Sequence, residues 1–147
     1  MKKIILILTL LITTIFAVRV DFSDPQPTFD EPRKWVINLN TNDIKRVNHT
    51  LDAINNVLKE YPQEALKVTV VAYSSGMRAI KKDYDANTLT RIKSLMEYDV
   101  EFIGCRNTME SMGWVEDDFL DDVEYVQAGI SESIERIVDG YIPVTPY

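Results

Sequence analysis

The sequence is poor in the residues that make covalent and metal crosslinks. It has one Cys and one His in 147 residues, which excludes an internal disulfide framework and an all-Cys/His structural zinc site. Glycine and proline are sparse, at 5 and 6, so the chain is neither collagenous nor of low complexity. Basic side chains are outnumbered, 16 against 23 acidic, for a formal charge of -7. A broad phosphate-binding surface needs an excess of Lys and Arg, so neither nucleic acid nor an anionic membrane surface is an expected partner. The glycine-rich dinucleotide and P-loop patterns are absent, as is the Gly-x-Ser-x-Gly elbow. No metal and no cofactor is expected. What is present is 46% hydrophobic and 27% charged residues, enough for one domain with a sizeable core.

The N-terminus reads as an address. Lys2 and Lys3 precede an uncharged run from Ile4 to Phe16, interrupted by Thr9, Thr13 and Thr14. A short positive region before a short apolar core is the pattern of a secretory signal peptide, and the run is shorter than the ~20 residues that span a bilayer. Ala17 is a small residue for cleavage, with bulky Ile15 two positions before it. Residues 1–17 are therefore read as a signal peptide, with a periplasmic or secreted protein as the expectation; left uncleaved, the segment would be a membrane anchor. Its removal takes away Lys2 and Lys3, so 16 basic groups become 14 against 23 acidic, or -9. An unpaired Cys in such a compartment suggests a reactive thiol or an intermolecular partner.

Residues 18–33 hold Pro25, Pro27 and Pro32, half of the prolines, and read as an extended linker. From residue 34 to 147 the pattern alternates. Lys34 to Leu39 is a strand candidate. Thr41 or Asn42 is placed to cap a helix whose apolar positions are Ile44, Val47, Leu51, Ile54, Val57 and Leu58. Leu66 to Tyr73 is β-branched and nearly continuously apolar, as in a parallel strand covered on both faces. A helix over about 86–98, a strand over 100–104, a short helix over about 108–112, a strand over 123–127, a helix over 131–138 and a short strand within 141–144 follow. In the last helix Ile130, Ile134, Ile137 and Val138 are expected to face inward. Strands alternating with helices predict an α/β fold, a largely parallel sheet between helical layers.

Ligand sites in open parallel sheets lie beyond the carboxyl ends of the strands, and Cys105 sits at such an end. Asn107 is a suitable N-cap for the next helix, and Glu110 completes a capping-box-like pair. Cys105 then precedes a helix N-terminus that favours an anion. Arg106 beside it adds positive charge if its side chain turns that way. Both effects lower a thiol pKa, and the thiolate is the reactive form. The alternative stands equally: a free Cys after Val-Glu-Phe-Ile-Gly ends the core as a small hydrophobe. With no second Cys, a self-contained dithiol oxidoreductase is not expected.

The run Cys105-Arg106-Asn107-Thr108-Met109, with Gly113 and then Asp117-Asp118-Phe119, resembles the Cys-x-Asn-Thr-Met signature of DsrE/DsrF-like proteins. Val36-Ile37-Asn38, Leu51 through Asn55-Asn56, Val70-Val71-Ala72 leading to Gly76, Val126-Gln127-Ala128-Gly129-Ile130 and Gly140-Tyr141-Ile142-Pro143 fit the family's order. The resemblance covers 34–147. It implies a three-layer α/β/α fold with a mainly parallel five-stranded sheet, and self-assembly as small rings or hexamers. It also implies a sulfur carrier, with sulfane sulfur held as a persulfide on Cys105 and exchanged with donor and acceptor proteins. Arg106 would supply charge, Asn107 and Thr108 would shape the loop and donate to the sulfur anion, and Gly76 and Gly129 would allow close backbone approach. Relatives often carry a His just before the glycine after the second strand; here that stretch is Tyr73-Ser74-Ser75-Gly76. Two rivals remain: an oligomeric module that binds a small ligand or partner while its thiol merely packs, and a thiol redox sensor.

The sole His, His49, lies about 200° from Leu51 on its helix and is expected to face solvent. Asn48-His49-Thr50 matches a glycosylation acceptor but falls mid-helix. The acidic cluster from Glu116 to Glu124 lacks an EF-hand pattern and reads as a solvated face, with a weak divalent-cation site a distant second. Trp35, Trp114 and Tyr141 read as core or subunit-interface residues.

Overall fold

The computed structural model describes residues 20–147; the expected signal peptide lies outside the described residues. Five parallel strands form one sheet: β1 (Arg33–Leu39), β2 (Leu66–Ala72), β3 (Glu101–Cys105), β4 (Glu124–Val126) and β5 (Ile142–Pro143). Their spatial order is β4-β3-β2-β1-β5. Four α-helices connect them: α1 (Ile44–Glu60), α2 (Ala86–Glu97), α3 (Arg106–Met112) and α4 (Gly129–Val138). The chain steps from β1 to β4 in one direction and then returns past β1 to place β5. Because such crossovers share one hand, the first three helices pack on one face and α4 on the other.

The first face holds the main core. Trp35, Ile37 and Leu39 of β1, Val68, Val70 and Ala72 of β2, and Phe102 of β3 point into it. They meet Val47, Leu51 and Ile54 of α1, Leu89, Ile92 and Leu95 of α2, and Met109 of α3. The second face has a small apolar cluster of Val36, Val71 and Tyr141. This period-two alternation places odd-numbered β1 residues on one face and even-numbered ones on the other.

Several boundaries differ from expectation. The N-cap of α1 is Asp43, not Thr41 or Asn42; its carboxylate accepts from the Arg46 N–H at 2.9 Å. Thr41 Oγ1 instead accepts from the Asp43 N–H. Helix α3 starts two residues earlier than expected, so Cys105 itself is the N-cap residue and Asn107 lies inside the first turn. Residues 20–32 form no helix or strand, yet they lie on the domain. The Phe22 ring meets Tyr61 at 4.7 Å, and the Arg33 guanidinium donates to the carbonyls of Ser23 and Pro25.

The largest correction concerns α4. Ile130, Ile134, Ile137 and Val138 were expected inward and are 60%, 54%, 43% and 78% exposed. The residues turned to the sheet are Gly129 and Ser133. The cause is the polar character of the strands beneath. Ser133 Oγ donates to Asn38 Oδ1 at 2.6 Å, and the Arg136 guanidinium grips both oxygens of Glu101 at 2.8 and 3.0 Å. The polar side of the helix is therefore the side the sheet satisfies.

Candidate functional site

Cys105 ends β3 at the carboxyl edge of the sheet, flanked by β2 and β4. Its side chain is 5% exposed. The Cys105 N–H meets Met77 Sδ at 3.2 Å, and Sγ lies 3.8 Å from the Gln127 carbonyl oxygen, to which the thiol donates. Two helix N-termini converge here. α3 begins at Arg106, and α4 begins at Gly129, whose position is so close that an added Cβ would lie 3.3 Å from Cys105 Cβ and 3.1 Å from Tyr73 Cβ. Burial pushes the thiol up. The Gly129 N–H, the Thr108 hydroxyl and the N–H groups of Thr108 and Asn107 outweigh it, so the thiol ionises below its ordinary value.

The surrounding loops are fastened to each other. The Asn107 N–H donates to the Gln127 carbonyl at 3.0 Å, and the Gln127 amide donates back to Asn107 Oδ1 at 2.6 Å and to Glu110 Oε1 at 3.2 Å. Asn107 thus clasps the β4–α4 connection and fixes where the Gly129 N–H points. Thr108 Oγ1 accepts from the Ser74 N–H at 3.0 Å, which leaves its own proton for the sulfur. Ser74 holds this contact with φ at +51°, a left-handed conformation uncommon for a residue with a side chain.

The sequence-selected residues divide into three groups. Asn107, Thr108 and Gly129 meet Cys105. Gly76 does not: it lies at the end of β1, where an added Cβ would sit 1.9 Å from the Leu39 carbonyl oxygen, so its role is close backbone approach to β1. Arg106 turns away from the thiol; its guanidinium bonds Glu116 at 2.6 Å and lies 5.3 Å over the Tyr125 ring. Ser74 and Gln127 were missed. Their chemistry is backbone geometry and a loop clasp, which leave no residue-type signature. The Glu110 capping box does not form, since Asn107 is not the cap.

The remaining candidates take bland positions. His49 is exposed. Asn48 sits within α1, bonded to Thr88 and Arg91. In the acidic cluster Glu116 holds Arg106, Asp121 holds Lys82 at 2.8 Å, and Asp118 accepts from the Val115 N–H. Trp35 is core; Trp114 is partly buried, with Arg78 and Lys81 against its ring. Among the described residues no helix is long and apolar enough to cross a membrane.

A five-stranded parallel sheet between helical layers, with a thiol at its carboxyl edge, defines a three-layer α/β/α class of protein. The DsrE/DsrF-like family model matches residues 34–146, and the chain belongs to that family. The solved structure of MTH1491 from Methanobacterium thermoautotrophicum, described as a protein of unknown function, is similar, with a TM-score of 0.72 and 25% sequence identity. The match covers 78% of this chain and 99% of that one. No curated protein matches.

Proposed function

We propose that this protein is an exported sulfur carrier that holds sulfane sulfur as a persulfide on Cys105. One observation carries the reading: N–H groups from the first turns of α3 and α4, together with the Thr108 hydroxyl, converge on a single thiol and favour its anion. The thiolate attacks the sulfane sulfur of a donor persulfide. A new S–S bond forms at Cys105, the donor's S–S bond breaks, and the donor leaves as its thiolate. The sulfur keeps its oxidation level, so no oxidant is consumed. Delivery is the same exchange, with an acceptor thiolate attacking the outer sulfur. Asn107 and Gln127 hold the two helix ends in register around the sulfur. Export rests on the pattern of residues 1–17, and self-assembly on family membership; donor and acceptor proteins are the partners the chemistry requires.

The rival reading, a binding module whose thiol only packs, is supported by the 5% exposure of Cys105. Intact mass spectrometry after incubation with polysulfide separates the two. The carrier gains one sulfur atom, reversed by a reductant, and Cys105→Ser gains none. No gain, combined with a native thiol inert to alkylation, overturns the carrier reading.

A further inference from the structure

Helix dipoles give the two edges of the sheet opposite electrostatic character. Helices between parallel strands run against them, so helix N-termini face the carboxyl edge, where Cys105 lies, and helix C-termini face the amino edge. At the amino edge lies a cavity of about 830 Å³, within the size range of small-ligand sites. Its walls come from the ends of α1, α2 and α4 and the starts of β2, β3 and β4. Arg136 neutralises Glu101 there, which leaves Glu64, Glu97, Asp99 and Glu124 against Lys67. Two of these acids stand where the helix dipole disfavours them. Glu97 ends α2 and Asp99 follows two residues later, beside carbonyl groups of negative partial charge, and the last turn of α2 holds no basic residue. Local electrostatics alone would favour Lys or Arg at both positions.

Aromatic rings line the same cavity and are left open to it. Phe29 is 69% exposed and Tyr98 72%, and Tyr61 is half-buried. The face of such a ring attracts a cation, and Leu58 and Leu66 add apolar wall for a hydrocarbon chain. Among the described residues no three Asp, Glu, His or Cys side chains are placed to hold a metal ion. The carboxylates are instead spread over the α1–β2 loop, the end of α2 and the start of β4, which suits charges spread along a molecule and not one point charge. We propose that this cavity binds a linear polyamine, its ammonium groups paired with Glu64, Glu97 and Asp99 and its methylenes laid against Tyr61 and Tyr98. The site lies across the sheet from Cys105 and does not depend on the sulfur chemistry.

Isothermal titration of the purified protein with spermidine, at about 0.15 M salt to screen diffuse attraction, tests this. Saturable binding of one spermidine per chain is expected, and Cys105→Ser should bind it as the wild type does. Glu97→Gln with Asp99→Asn should weaken binding about tenfold, and Tyr98→Ala about threefold, as for one exposed cation–π contact. Asp83→Asn with Asp117→Asn removes two charges that do not line the cavity and should leave the affinity within about twofold. Magnesium chloride at matched ionic strength should not displace the ligand. Binding that never saturates overturns the proposal, as does binding that Glu97→Gln with Asp99→Asn leaves unchanged. An equal loss in the two double variants also overturns it, since the attraction would then belong to the acidic protein as a whole. Displacement by magnesium does so too, by assigning the carboxylates to a metal ion.

Discussion

The two faces of the sheet are built on different principles. The first buries a continuous apolar surface: Ile37, Leu39, Val70, Ala72 and Phe102 lie against helices whose apolar positions repeat every three or four residues. The second is held by a few polar contacts. Thr69, Glu101, Arg136 and Tyr141 form one network, and Ser133 with Asn38 another. One face is stabilised by area removed from water, the other by hydrogen bonds whose net worth is small but whose loss is costly. The difference explains why α4, the one helix on the second face among the described residues, presents its polar side to the sheet.

The comparison breaks hardest in the main core. Phe102 is 1% exposed, and Phe102→Ala is expected to cost about 3–5 kcal/mol, through lost transfer energy and the cavity left behind. Denaturant unfolding measures it. On the second face Arg136→Met leaves Glu101 without its bidentate partner. Both side chains are about a quarter exposed, 22% and 27%, so solvent screens the loss and about 2 kcal/mol is expected. The double variant Arg136→Met with Glu101→Leu should recover most of that, because an apolar pair has no charge to satisfy. Recovery would confirm that polarity and not shape governs this face; none would assign the cost to packing. Ser133→Ala removes one hydrogen bond to Asn38 and is expected to cost about 1 kcal/mol by the same measurement.

The same difference decides what was legible in the sequence. Strands β1 and β2 and helices α1 and α2 follow from periodicity, because apolar residues there face the core, with the exception of Ile44, which opens α1 and is 49% exposed. Periodicity failed on α4 for the same reason run backwards. Ile130, Ile134, Ile137 and Val138 give a clear helical stripe, but Asn38 and Glu101 on the strands beneath decide which side of the helix the sheet takes. The place of Cys105 was legible because it closes an apolar strand, and Thr108 and Gly129, which lie beside it, were selected with the resemblance of the runs that hold them. The bearing of Arg106 was not, since Glu116 and Tyr125, which hold it, lie 10 and 19 residues further along. The Asn107 cap was misplaced because an extended Cys105 backbone serves as the cap position, a choice that the side chain does not reveal.

The smallest effect on stability is expected at the seam between the faces, where Thr108 meets Cys105. Thr108→Val removes a hydroxyl that favours the thiolate, so the thiol pKa should move up toward the ordinary range. The rate of alkylation against pH reports it: the wild-type inflection lies below that of a free thiol, and Thr108→Val shifts it to higher pH. Thr108→Ser keeps the hydroxyl and should restore the wild-type profile, which a packing effect of the lost methyl would not do. The sign for stability follows from linkage. A thiol whose native pKa lies below its unfolded value adds stability that is complete above the unfolded value and is lost as pH falls through the native one. Unfolding free energy in the wild type should therefore gain a component between those two values that Cys105→Ser lacks. An inflection at or above the free-thiol value would mean that burial governs Cys105, and that the seam belongs to the first face, as core.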